Sequence, residues 1–146
     1  MTDSAIERLA DEMEIRNLIA GLAHLADMGD LDDYLASFTE DAVWEFPGDD
    51  REGLNHSRTE GHKAIKADRE ERRANGFQGP GTHTRHVNTT LAVRVLDHDH
   101  AEAESYWIFV TNTTGEPKVS SIGHYFDRFV RTDDGWKYVS REITTG

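Results

Sequence analysis

The chain has 146 residues, with 16 Lys and Arg against 28 Asp and Glu and a net charge of −12. Its length suits one domain over residues 1–146 that buries roughly two-thirds of its extended-chain surface, and 36% hydrophobic residues can fill that core. The absence of cysteine excludes disulfides and thiolate-bound metals, and no apolar run approaches the ~20 residues of a membrane span. The start of the chain is polar and lacks a signal-peptide apolar stretch, so a soluble, cytoplasmic protein is expected. An acidic surface argues against nucleic acid as a partner, because phosphate binding needs a basic one.

Residues 1–50 carry 14 acidic and 2 basic side chains, which is the whole of the excess. Apolar residues recur through this block at helical spacing, so it reads as a solvated helix face rather than an interaction tail. Ser4 and Glu7 form a plausible capping box. Behind it Ile6, Leu9, Met13, Ile15, Leu18, Ile19, Leu22 and Leu25 follow a 3.6-residue stripe, predicting one or two helices through Asp27. Asp30 can cap a short helix over 31–37, and Ala42–Phe46 alternates like a strand that Pro47-Gly48 stops. Residues 59–75 read as an exposed helix in which Arg69, Arg72 and Arg73 pair with neighbouring carboxylates, closed by Asn75-Gly76.

From residue 82 the period changes to two. Strands are expected at 86–95, 101–110, 119–131 and 136–143, with turns at 97–100 and 133–135 and a polar loop at 111–118. Helices followed by a strand meander make an α+β domain whose helices cover one face of a long antiparallel sheet.

Of the eight histidines, His86 shares a strand face with Asn88 and Thr90, a polar triple that must meet either solvent or a polar-lined cavity. Asp27 ends the apolar stripe Leu18-Ile19-Leu22-Ala26, where a carboxylate is costly unless it pairs or reaches water. Parity on the second strand puts Ala101, Ala103, Ser105, Trp107 and Phe109 inward, opposite Glu102 and Glu104. The two alanines are expected to leave room beneath the helices. Trp44, Phe46, Trp107 and Tyr125 are candidates to line a cavity for a ring-containing substrate, with core packing the alternative for each. Trp136 and Tyr138 are assigned to packing. No phosphate-cradling Gly loop, nucleophile elbow or Cys/His nucleophile arrangement occurs, and no nucleotide, flavin or metal cofactor is expected.

The runs His24-Leu25-Ala26-Asp27-Met28-Gly29-Asp30-Leu31-Asp32 and Phe38-Thr39-Glu40-Asp41-Ala42-Val43-Trp44 resemble the opening of SnoaL-like proteins. These belong to the nuclear transport factor 2-like (ketosteroid isomerase-like) superfamily. Thr84-Arg85-His86-Val87-Asn88 resembles their first long strand, and Gly123–Asp127 with Asp134–Tyr138 their last hairpin. The resemblance implies a cone-shaped α+β barrel, with a curved antiparallel sheet whose concave face the N-terminal helices cover. One branch, which includes scytalone dehydratase, bile-acid 7α-dehydratase and lindane dehydrochlorinase, pairs a helix-borne Asp with a strand-borne His. Carried over by position these are Asp27 and His86, which implies a cofactor-independent lyase or isomerase acting on a small hydrophobic, cyclic molecule. The Tyr that precedes the dyad Asp in scytalone dehydratase is Ala26 here, and its second His falls at or near Ser105. Another donor must then hold a leaving oxygen, with Ser105, Tyr106, His124 and Tyr125 as candidates. The resemblance equally admits a non-catalytic binder or partner subunit, a polyketide cyclase or an epoxide hydrolase. An uncovered sheet face implies a homo-oligomer, dimer or trimer.

Overall fold

A computed structural model describes residues 2–48 and 56–146. Helix α1 (Asp3–Met28) is followed by α2 (Leu31–Ala36), β1 (Phe38–Phe46), β2 (Ser57–Glu60), α3 (Gly61–Ala74), β3 (Arg85–Val95), β4 (His100–Thr111), β5 (Lys118–Thr132) and β6 (Gly135–Thr145). The six strands form one curved, unclosed sheet in the order β2-β1-β6-β5-β4-β3. All neighbours are antiparallel except β1 and β6, which run parallel, a pairing the expected meander did not contain.

Irregular pairing bends the sheet. Register shifts interrupt the β3–β4, β4–β5 and β5–β6 ladders, and each extra residue adds local twist. At the first of these Thr90 has φ 53°, so the His86-Asn88-Thr90 face breaks after Asn88 and Thr90 turns to solvent.

Helix α1 is one continuous element capped by Thr2, whose side chain accepts from the Ala5 N–H, rather than by the Ser4–Glu7 box. Its buried stripe is Ile15, Ile19, Leu22, Ala26 and Asp27. Ile6, Leu9 and Met13 continue the periodicity but stay exposed, because this first half reaches beyond the surface that the stripe packs on. Asp30 caps α2 as expected, accepting from the Asp32 and Asp33 N–H groups. Strand β1 starts four residues earlier than its alternation suggests, and β2 takes the first two residues of the helix expected over 59–75, so that α3 begins only at Gly61.

The core gathers Ile15, Ile19 and Leu22 from α1 against Phe38, Phe129, Trp136 and Tyr138. Ala101 and Ala103 belong to it, so the space they leave is filled by helix side chains and not by the cavity. Among the described residues no helix is long and apolar enough to cross a membrane.

Candidate active site

A cavity of about 280 Å³ lies between the concave sheet face, α1 and α3. Leu22, Ala23 and Ala26 form its α1 wall, and Trp44, Phe46, Trp107 and Phe109 bring the aromatic surface. It opens at the exposed Arg72 and Phe77, where a shallower groove past Thr82, Thr84 and Ser120 shares the same rim.

Asp27 and His86 meet at its wall. His86 Nδ1 lies 2.6 Å from Asp27 Oδ1, and the His86 backbone N–H reaches the same carboxylate at 3.1 and 3.2 Å. Asp27 is only 4% exposed and does not itself line the cavity; it sits behind His86, which does. An ionised carboxylate can only accept, so in the neutral ring the proton is on Nδ1 and Nε2 keeps its lone pair. Nε2 has no hydrogen-bond partner among the described residues. Phe109 packs against the ring with centroids 4.8 Å apart, and Arg73 Nη2 donates to the Leu25 and Ala26 carbonyls, 3.0 and 3.3 Å away. That guanidinium supplies a donor to the Ala26 carbonyl and a second one to the Leu25 carbonyl, which already accepts the Gly29 N–H, and so braces the turn that carries Asp27.

The opposite wall is a buried polar stack. Arg141 makes a bidentate pair with Asp127 at 2.7 and 2.9 Å and also donates to the Tyr138 hydroxyl. Burial opposes the Arg141 charge, but Asp127 outweighs it and the guanidinium stays protonated. Its carbon lies 3.7 Å from the Tyr125 ring centroid, and Tyr125 in turn stacks on Trp107. Trp107 Nε1 donates to the Thr144 carbonyl and lies across Gly123, where a Cβ would collide with that carbonyl and with the indole. The Tyr125 hydroxyl makes no hydrogen bond with the described residues, and burial raises its pKa, so it remains a donor.

Of the expected lining residues, Trp44, Phe46, Trp107 and Tyr125 border the cavity. Ser105 and His124 do not. Ser105 is inward and fully buried, but its short side chain stops beneath Tyr125, directly opposite it across the β4–β5 ladder, and its hydroxyl has no partner among the described residues. His124 neighbours Tyr125 on β5 and therefore faces the outer side, where its Nε2 lies 3.4 Å from Glu104. Tyr106 is on that outer face as well, packed beside His124. Among the described residues no group of three or more His, Asp or Glu side chains converges as a metal site would require.

Sequence reasoning missed Tyr34, Arg69, Arg72 and Gln78, all of which line the cavity. Ile65 and Arg69, four apart, are the two buried residues of α3, and Arg72 follows at the next turn. The position of the cluster's one large apolar residue was the available signal that these arginines face inward.

The SnoaL-like domain matches residues 7–142 of this chain. The chain belongs to the SnoaL-like family. Among solved structures this SnoaL-like chain resembles an NTF2-like protein of cystatin-like fold from Novosphingobium aromaticivorans (25% identity, TM-score 0.77, covering 97% of this chain and 86% of that one). An aromatic ring hydroxylase-like protein from the same organism is 28% identical, with TM-score 0.73 over 94% of this chain and 90% of the other. A scytalone dehydratase-like protein, also from that organism, shares the fold at 23% identity and TM-score 0.70, covering 100% and 89%. A shorter match joins 60 residues, at 33% identity, to the anthranilate 1,2-dioxygenase small subunit of Burkholderia cepacia; it spans 40% of this chain and 37% of that protein.

Proposed function

We propose that this SnoaL-like protein is a cofactor-independent lyase, or an isomerase using the same first step, acting on a small cyclic molecule. The observation that carries the reading is the 2.6 Å contact between a buried Asp27 carboxylate and His86 Nδ1, with Nε2 left to the cavity. In the elimination His86 Nε2 takes a proton from carbon beside an electron-withdrawing group. The C–H electron pair becomes the new C=C bond, and the β substituent leaves with its own bonding pair. Tyr125 hydrogen-bonds the departing oxygen, and the imidazolium returns its proton to it, so substrate gives alkene plus water. In the isomerase variant the proton returns to a different carbon. Asp27 holds the ring in the tautomer that exposes Nε2 and stabilises the imidazolium, and the aromatic walls exclude water from the carbanion.

The test is a screen of cyclic β-hydroxy ketones for loss of water, followed by absorbance of the conjugated product. His86→Ala and Asp27→Asn are each expected to lower kcat/KM by ~10²–10⁴-fold while the circular dichroism spectrum stays unchanged. Activity retained in both variants would contradict the assignment.

A second reading, that of a partner subunit, draws on the similarity to the dioxygenase small subunit and on the outer sheet face. Val87, Ile108 and Ile122 align there across three strands, and Val87 and Ile122 are exposed. In the lyase reading the same row buries against a second copy of the chain.

A further inference from the structure

Two arginines and one aspartate of α3 line the same end of the cavity. Arg69, only 8% exposed, donates through Nε and Nη2 to Asp68 Oδ2 at 3.1 and 2.8 Å, and Arg72 Nε donates to that same oxygen at 3.0 Å. Two guanidiniums thus share one carboxylate, leaving an unneutralised positive charge at the wall of a cavity in a chain of net charge −12. The third nitrogen of Arg69, Nη1, has no acceptor among the described residues. The Arg69 guanidinium lies 4.7 Å from the Trp44 ring centroid and 6.0 Å from that of Tyr34. The Trp44 Nε1 and the Tyr34 hydroxyl are buried and have no partner among the described residues. Burial, opposed by Arg69 and Arg141, pushes the Tyr34 hydroxyl up to about 12, so it too stays a donor. Asp68 is the one anion hydrogen-bonded to Arg69 among the described residues, and a buried cation without a full complement of acceptors is costly.

We propose that the ligand of this cavity is an organic anion, a one- or two-ring compound whose carboxylate or comparable acidic oxygen lies against Arg69 and Arg72. Its ring occupies the space bounded by Trp44, Trp107 and Phe109, which turns its opposite edge toward His86. The volume agrees: an apolar cavity of ~150 Å³ admits benzene, and about 280 Å³ has room for a second ring. Planar guanidinium forks match carboxylates geometrically, and the burial of Arg69, though not of the exposed Arg72, strengthens the attraction. The inference rests on the cavity being the substrate pocket proposed above, but it concerns binding and not the proton transfer.

Titration of the full chain with 2-naphthoate and, separately, 2-naphthamide tests it, read through Trp44 and Trp107 fluorescence and by calorimetry. The acid is expected to bind at least ten-fold tighter than the amide, with a preference that shrinks as salt is raised. Arg69→Gln should abolish the preference. Asp68→Asn, which frees both guanidiniums, should tighten the acid several-fold and leave the amide unchanged, and it serves as well if Arg69→Gln does not fold. Equal binding of the two probes, absence of binding by either, or an Asp68→Asn variant that weakens the acid would overturn the proposal. His86→Ala separates it from the catalytic reading. Acid preference kept with turnover unaffected in that variant removes the general base alone, whereas turnover lost without any acid preference in the wild type removes the anion site alone.

Discussion

At the residue scale, the site depends on two buried ionic contacts with opposite tasks. The Asp127–Arg141 pair is structural: Arg141 gives Nε and Nη2 to Asp127 and Tyr138 and supports Tyr125 through its ring face. Asp127→Asn leaves the guanidinium buried and uncompensated, with an expected cost of ~3–5 kcal/mol in urea unfolding. A change below 1 kcal/mol would mean that water reaches Arg141. Arg73 acts one step removed, through the carbonyls of Leu25 and Ala26. Arg73→Gln is expected to lower kcat with KM nearly unchanged and to cost about 1 kcal/mol of stability by thermal melting. An unchanged kcat would show that the last turn of α1 holds Asp27 unaided. The pairing of Asp27 with His86 was legible only through family resemblance, since 59 residues separate them and periodicity left both free to face solvent. Arg69 and Arg72 were illegible for a different reason. Neighbouring carboxylates made the run look self-neutralised, and only the fold reveals that two cations share Asp68.

At the element scale, strand parity carried most of the correct reading and its local failures. It placed Trp107 inward and Glu102 and Glu104 outward. It could not choose between His124 and Tyr125, adjacent residues of which only one can face the cavity, nor foresee the Thr90 irregularity that ends the polar face of β3. Gly123 is where parity alone is insufficient: the Trp107 indole crosses β5 only because no Cβ stands there. Gly123→Ala is expected to destabilise by about 1–3 kcal/mol and to alter tryptophan emission, and unchanged emission would contradict that packing. The tie between α1 and the last hairpin gives a pH signature. Burial works to raise the Asp11 pKa, but the Trp136 and Arg131 donors outweigh it, and the net shift is downward from 3.8. A carboxyl depressed in the folded state contributes its stability above its unfolded value and loses it as pH falls through the folded one. Acid unfolding below about pH 4 should therefore flatten in Asp11→Asn, measured as urea midpoint against pH. A slope equal to the wild type would contradict the tie.

At the scale of the whole molecule, helices cover one face of the sheet and leave the other with a row of apolar side chains across β3, β4 and β5. The helix-then-meander order in the sequence sufficed for the α+β class. The parallel β1–β6 pair, which adds β1 and β2 to one edge of the meander, did not follow from it, because pairing partners distant in sequence have no periodic signature. Static light scattering after size exclusion is expected to give two or three times the chain mass, and Ile122→Glu should shift it to one. That variant leaves the Asp27–His86 contact on the other face intact. A wild type that remains monomeric at all concentrations would contradict the assembly and favour a partner of different sequence on that face.

The most direct test of the central claim needs no substrate. Nitrogen-15 spectra of the imidazole, with His86 assigned by comparison with His86→Ala, report which ring nitrogen carries the proton when the ring is neutral. Protonated Nδ1 and bare Nε2 are expected in the wild type, with that preference lost in Asp27→Asn. A His86 ring protonated on Nε2, or one that exchanges freely between tautomers like an exposed imidazole, would contradict the claim.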